Sequence, residues 1–207
     1  MKKIIVKFEP YYTKYDAKLF DNIFTNLPRI ETDRLILRKL QYSDQADIYS
    51  YAQNPNVAKH VLWEAHKDIF DTIKFLNIIL EAYSENRAAP WGIEHKTDRK
   101  IIGTVGFVSF ESEIKKAEIG YAISENYWNQ GIITEAISEV ISFGFEKMML
   151  DVILARCKPI NIASYKVIEK FNFKYEGIFE KNMYIKSRFE DMKVYTLTAE
   201  RFRSTNN

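Results

Sequence analysis

A single cysteine, Cys157, stands among the 207 residues, so no disulfide can form within the chain and the fold must rest on a packed core. Such cysteine usage fits a reducing compartment. Only 7 glycines and 5 prolines occur, and they are scattered, which leaves no Gly/Ser linker, Pro-rich spacer or low-complexity tract. No internal repeat is visible. Neither charge sign dominates: 30 basic against 28 acidic side chains leave +2. That balance removes the global field of a nucleic-acid or membrane binder, while a local cationic patch stays open. No apolar run approaches a membrane span. The opening MKKIIVKFEPYY starts with two lysines before a short apolar run, but Lys7 ends that run, Glu9 and Pro10 follow, and no small-residue cleavage site appears. A cytoplasmic protein is expected. The histidines His60, His66 and His95 show no metal-ligand spacing with one another or with Cys157, so no metal is expected. The glycine fingerprints of Walker and dinucleotide-binding loops are missing, which disfavours a nucleotide-binding module.

What is present is an ordinary globular composition, 46% hydrophobic and 28% charged, in a length that suggests one domain with an N-terminal extension. Residues 3–7 read as a short strand and 15–24 as a helix. ETDRLILRKL (31–40) alternates Leu35 and Leu37 with Arg34 and Arg38, a strand pattern. Ser43-Asp44 caps a helix to about Gln53, with Pro55 punctuating its end, and 68–83 is helical with Ile69, Ile73, Leu76 and Leu80 as its stripe. WGIEHK (91–96), KIIGTVGFVSF (100–110) and AEIGYAI (117–123) form an antiparallel meander. GIITEAISEVISFGFEK (131–147) is amphipathic, with Ile133, Ala136, Ile137, Val140 and Ile141 on one face. DVILARC (151–157) is a buried-type strand, 161–171 a helix, and 173–180 with 191–197 a closing pair of strands. The order is an α+β pattern.

Four places could carry chemistry. A strand runs through a short loop into the helix near Gly131, whose first amides lack intrahelical partners and could hold a phosphate; equally, one glycine eases a helix start. Asn161 stands at an N-cap position, and Ser164 shares a helix face with Val167, Ile168 and Phe171, so its hydroxyl points inward. Cap and back-bonded serine is the alternative there. Glu118 shares a strand face with Gly120 and Ala122, where a carboxylate beside two tiny side chains would border a slot; a solvated outward face explains it as well. Cys157 reads as a small buried hydrophobe rather than a nucleophile.

In combination, ETDRLILRKL, IIGTVGF, AEIGYAI, YWNQGIITEA, NIASYKVIEKFNFKYEG and FEDMKVYTL, in that order, resemble the GNAT superfamily of N-acetyltransferases, and its RimJ/RimL branch in particular. The resemblance runs from about 27 to 202, implying an acetyltransferase domain over 27–203 and an extension of unassigned role over 1–26. It implies a GNAT-like mixed, mostly antiparallel sheet with a V-shaped split between strands 117–123 and 151–157. Acetyl-CoA would lie in that split as acetyl donor, its pantetheine arm on the backbone of Ala122 and Ile123. Trp128, Asn129, Gln130, Gly131, Ile132, Ile133 and Thr134 would bind its pyrophosphate, with Asn161 and Ser164 beside the thioester. Glu118 would act as base and Ser164 as the group facing the departing sulfur.

Two positions depart from the family pattern: Ile133 replaces a small loop residue, facing either core or phosphates, and Ile168 stands where many relatives have a tyrosine acid. Tyr165, adjacent to Ser164, points about a quarter-turn away. The implied acceptor is a primary amine, either a protein N-terminal α-amine as in ribosomal-protein acetyltransferases or a small molecule such as a polyamine, an aminoglycoside or an amino acid. Trp63, Glu64 and His66 would wall its site, with Glu64 and Asp71 available to a cation. A non-catalytic acyl-CoA sensor is the reading from a different class. Either a monomer or a homodimer fits.

Overall fold

The strand and helix periodicities of the sequence assemble around one sheet. The computed structural model describes residues 22–205, and within them eight strands lie in the order β1-β2-β3-β4-β5-β6-β8-β7. The strands are β1 (Ile30–Glu31), β2 (Leu35–Arg38), β3 (Trp91–His95), β4 (Lys100–Glu111), β5 (Lys116–Ile123), β6 (Val152–Cys157), β7 (Lys174–Ile185) and β8 (Arg188–Thr198). The helices are α1 (Gln45–Ala52), α2 (Pro55–Ala58), α3 (Ile69–Ser84), α4 (Ile132–Glu146), α5 (Ile162–Glu169) and α6 (Ala199–Thr205). Every neighbouring pair is antiparallel except β5 with β6, which is parallel. The strand expected at 3–7, and most of the helix expected at 15–24, lie outside the described residues. The GNAT-like mixed, mostly antiparallel α+β architecture is the one observed.

The split follows from how β5 and β6 pair. Their register is Lys116↔Val152, Ala117↔Ile153, Glu118↔Leu154 and Ile119↔Ala155, and there it stops. Residues 120–123 of β5 and 156–157 of β6 continue without each other, so the strands part toward their carboxyl ends. Each keeps its other neighbour: β5 stays paired with β4 as far as Ile123, and β6 with β8 as far as Cys157. Each wall of the opening therefore keeps a paired neighbour on its outer side.

The core explains why these strands and helices sit where they do. On α4, Ala136, Ile137, Val140 and Ile141 are buried, as their helical spacing requires. A Cβ on Gly144 would come within 2.7 Å of the Phe107 ring, so the helix lies close against β4. On α3 the buried stripe is Thr72, Leu76, Ile79, Ala82 and Tyr83; Ile69, Ile73 and Leu80 lie at its partly exposed flank. Trp91 is fully buried, with its indole N–H donating to the Pro28 carbonyl at 2.7 Å.

Two elements depart from the sequence-based expectation. Pro55 follows the end of α1 at Ala52 as expected, but it also opens α2, capped by Asn54, whose side chain accepts from the Asn56 amide; proline at the first helical position loses no hydrogen bond. The closing strands are longer than expected and meet in a tight hairpin. Lys186 (φ 51°) and Ser187 (φ 64°) form its two-residue turn, and Ile185 pairs with Arg188. Positive φ at both central positions is the turn that matches strand twist.

Candidate active site

The loop between β5 and α4 forms the mouth of the split. Asn129 (φ 59°) and Gly131 (φ 75°) both take the left-handed conformation, which reverses the chain so that α4 starts with its amide end facing back toward β5. No side chain caps α4, whereas Asp68, Asn54 and Asn161 cap α3, α2 and α5. The first-turn amides and the positive end of the helix dipole therefore remain available to an anion. A Cβ built on Gly131 would meet only Arg34 Nη2, at 3.6 Å, so the glycine serves its φ rather than a tight contact.

Arg34 braces this loop and was not singled out from sequence. Its Nη1 donates to the Gln130 carbonyl at 2.9 Å, and its guanidinium pairs with Glu135 at 2.7 Å. Burial pushes the Glu135 carboxyl up, but bonds from Thr32 and Arg34 outweigh it and hold the group below its ordinary pKa. Of the loop residues, Ile132 is fully buried and Ile133 is partly buried against the hydrophobic core. The bulk at Ile133 thus turns toward the core. Thr134 is half-buried, while Asn129 and Gln130 are exposed; Gln130 donates to the Asn126 carbonyl.

Trp128 closes over the end of β5, its indole N–H donating to the Ile123 carbonyl at 2.9 Å. The ladder refines which backbone groups face the split. Ser124 N–H bonds the Ile102 carbonyl, so the β4 partners alternate through Ala122 and Gly120. Ala122 therefore points its amide and carbonyl at Thr104, and Tyr121 and Ile123 point theirs into the opening. Of the two positions expected to face the arm, Ala122 thus spends its backbone groups on β4, while those of Ile123 and of its neighbour Tyr121 face the opening, with the Ile123 carbonyl accepting from Trp128.

Across the split, α5 begins at Asn161, whose side chain accepts from the Ser164 amide at 3.2 Å. Asn161 is thus a true N-cap. Ser164 Oγ lies 2.8 Å from the Tyr121 hydroxyl, which also reaches the Ser164 carbonyl at 3.3 Å. Cys157 is buried beside them, within hydrogen-bonding reach of Ser164; burial pushes its thiol up to about 11 despite that bond. Burial likewise raises the Tyr121 phenol well above its ordinary pKa. Ile168 is buried, and Tyr165 lies under Lys193, whose Nζ is 3.7 Å from the ring centroid. The phenol near Ser164 therefore comes from β5. Local spacing has no means of pairing Tyr121 with a residue 43 positions away.

Glu118, Gly120 and Ala122 occupy the opposite face of β5. The slot expected beside Gly120 is filled: a bulge at Val108 drops its side chain over Gly120, and a Cβ there would lie 2.7 Å from Val108 Cγ1. Nor is Glu118 solvated. It is 6% exposed, and both carboxylate oxygens accept from Arg156, one from Nε at 2.9 Å and the other from Nη2. Arg156 Nη1 donates in turn to Asn182 at 3.1 Å. Arg156 is a further residue that sequence reading missed, although the Glu118↔Leu154 register puts it one step along the same face.

Beyond this pair, the 60–67 loop meets the β7–β8 hairpin. Lys186 Nζ donates to the Ala58 carbonyl at 2.7 Å and lies 3.6 Å from Glu64, while Leu62 packs on Met183, Ile185 and Met192. Trp63 and His66 rings are 5.3 Å apart, and His66 Nδ1 bonds Thr72. Asp71 holds the Lys67 amide and Lys74, so it closes the loop before α3 rather than facing a cleft. Among the described residues, no group of three His, Cys, Asp or Glu side chains could hold a metal. Nor is any described helix long and apolar enough to cross a membrane.

Comparison with known proteins bears on the same residues. The family model described as "Acetyltransferase (GNAT) domain" matches residues 34–174. The chain is 34% identical over 174 residues to YoaA, an uncharacterized N-acetyltransferase of Bacillus subtilis (strain 168), across 84% of this chain and 98% of that protein. It is 24% identical over 184 residues to the [ribosomal protein uS5]-alanine N-acetyltransferase of Escherichia coli (strain K12), across 84% and 94% of the two chains. Among solved structures, a GNAT-family acetyltransferase from Bacillus anthracis superposes with a TM-score of 0.74 at 26% identity, covering 84% of this chain and 99% of that one. RimL, a ribosomal L7/L12 alpha-N-protein acetyltransferase solved in complex with coenzyme A, shares the fold with a TM-score of 0.74 at 19% identity, covering 84% and 99%. The split sheet, the uncapped α4 and the matched family model agree: this chain belongs to the GNAT acetyltransferase family and is an acyltransferase.

Proposed function

We propose that the chain moves the acetyl group of acetyl-CoA to a primary amine, by direct transfer in a ternary complex, and that the acceptor is a protein N-terminal α-amine. The observation that carries this reading is the open split with the uncapped α4 N-terminus at its mouth. The residues fit the donor: Gly131 and the amides of 132–134 suit a pyrophosphate, with Trp128, Asn129 and Gln130 flanking it, and the Tyr121 backbone and the Ile123 amide face a pantetheine amide, the Ile123 carbonyl being held by Trp128. Relatives solved with acetyl-CoA or coenzyme A share the fold, which supports the donor. Bound there, acetyl-CoA supplies the activated acetyl group.

In the reaction, the amine nitrogen bonds the thioester carbon, the carbon–sulfur bond breaks, and its electron pair goes to sulfur. Ser164, placed by Asn161, offers its hydroxyl to the developing thiolate. Glu118 accepts the proton from the amine through a water molecule. Both of its oxygens are already engaged by the Arg156 fork. That favours an acceptor needing little help: an α-amine has a pKa near ~8 and a lysine-type amine near ~10.4. Relatives named as ribosomal-protein acetyltransferases point the same way.

The test is free-thiol release from acetyl-CoA with a panel of N-terminal peptides, polyamines, aminoglycosides and amino acids. Turnover fastest on unblocked peptide N-termini supports the reading. Preference for a polyamine, aminoglycoside or free amino acid would replace the acceptor, and acetyl-CoA binding without turnover on any amine would indicate a sensor.

A further inference from the structure

Resting on the reading of Ser164 above, we infer that Tyr121 is the positioning residue that aims the Ser164 hydroxyl at the sulfur of coenzyme A, taking by way of β5 the place left by the aliphatic side chain at Ile168. The argument begins with proton count. A serine hydroxyl has one proton to donate and two lone pairs, and a phenol has one proton. Two acceptors lie before the Tyr121 hydroxyl, Ser164 Oγ at 2.8 Å and the Ser164 carbonyl at 3.3 Å. The shorter distance is the usual one for O–H···O bonds, and the longer lies beyond their usual range. Donation from Tyr121 to Oγ leaves the single Ser164 proton free to point elsewhere.

Where it can point is limited by the surroundings. The Ser164 amide is occupied by Asn161, which fixes the first turn of α5. Cys157 is the other neighbour within reach, and its buried thiol stays protonated, a weak acceptor. A thiolate arriving in the split would be a far stronger one. Tyr121 itself borders the split, being half-buried with backbone groups turned into the opening. Its phenol does not surrender a proton, because burial holds its pKa well above the ordinary value. It therefore remains a donor throughout the cycle. No proton moves along this pair; Tyr121 polarises and orients Ser164, and Ser164 alone touches sulfur.

The sequence shows why a phenol from this strand can do so. Tyr121 is separated by one residue from Ile119, the last β5 residue paired with β6, so it is the first inward-facing side chain beyond the point where the strands part. A residue nearer the crotch would be buried against β6, and one further along would lie beneath Trp128.

A double-mutant cycle tests this: Tyr121→Phe, Ser164→Ala and the double variant, with kcat, KM for acetyl-CoA and the pH profile of kcat measured for each. Tyr121→Phe should lower kcat about three- to tenfold, leave KM for acetyl-CoA within about twofold, and cost no more than about twofold in the Ser164→Ala background. Its thermal stability, read alongside, should stay close to that of the parent. A loss from Tyr121→Phe of equal size in both backgrounds overturns the inference, as does a loss confined to KM. If Ser164→Ala leaves kcat unchanged, the assignment of Ser164 fails and the inference falls with it, an outcome distinguishable because Tyr121→Phe alone would not produce it.

Discussion

On one face of β5, Tyr121 meets Ser164 and Cys157 as hydroxyls and a thiol; on the other, three positions back, Glu118 meets Arg156 as a full ion pair. The two clusters share one strand yet obey different physics. The first works by direction: each group has one proton, and what matters is where it points. The second works by compensation, since a carboxylate 6% exposed is tolerable only with a guanidinium on both oxygens. Strand alternation alone separates them. The comparison teaches that the hydroxyl cluster should govern rate with little effect on stability, and the ion pair the reverse.

The sharpest way to break that contrast is Arg156→Met. Removing the guanidinium strands a buried carboxylate and should cost about 3 kcal/mol, seen as a fall in Tm of roughly 6–12 °C in thermal unfolding. Adding Glu118→Gln to that variant should recover part of the loss, because the uncompensated charge is then gone. A Tm within about 2 °C of the parent would show the pair to be dispensable. Next in size, Ser164→Ala should lower kcat by about 10- to 100-fold while KM for acetyl-CoA moves less than about twofold and Tm barely changes. A large loss of Tm there would erase the distinction between the faces.

Smaller effects sharpen the picture away from these clusters. Gly131→Ala keeps the space free but strains a left-handed residue by about 1 kcal/mol; the affinity for acetyl-CoA by calorimetry should fall roughly fivefold. The smallest effect concerns pH. Burial, and then Lys59, Lys158 and Lys186, lower the His60 pKa, and burial lowers that of His66. Both groups thus bind protons more weakly folded than unfolded. Stability should be fully present above the ordinary value of 6.5 and decline as pH falls below it. Chemical denaturation between pH 7.5 and 5.5 should show that slope, and it should flatten in a His60→Gln/His66→Gln variant.

Much of the sheet was readable because period-2 runs such as AEIGYAI and the helical stripe of 131–147 carry their own signal. The hairpin at 181–190 was not, since its turn uses Lys186 and Ser187, which give none of the Asn-Gly or Gly-Gly cues of that geometry. That Pro55, besides following α1, also opens α2 was not legible, because a proline that opens a helix and one that follows a helix look alike in isolation. The candidate site divided in the same manner. Glycine at 131 and the inward Ser164 were visible from local spacing. Arg34, Tyr121 and Arg156 were not, because their partners lie across the sheet order, at Gln130 and Glu135, Ser164 and Glu118. That Ala122 faces β4 and Tyr121 the opening was not legible, because edge polarity depends on which ladder residues bond β4, a matter of register that one strand alone does not specify.

The most direct test of the central claim is a crystal structure of the chain with coenzyme A. The account predicts the pyrophosphate on the amides of 132–134, the pantetheine arm between β5 and β6, and the sulfur within hydrogen-bonding distance of Ser164 Oγ on the Tyr121 face. Coenzyme A bound elsewhere, or with its sulfur more than about 5 Å from Ser164 and no water between them, would contradict it.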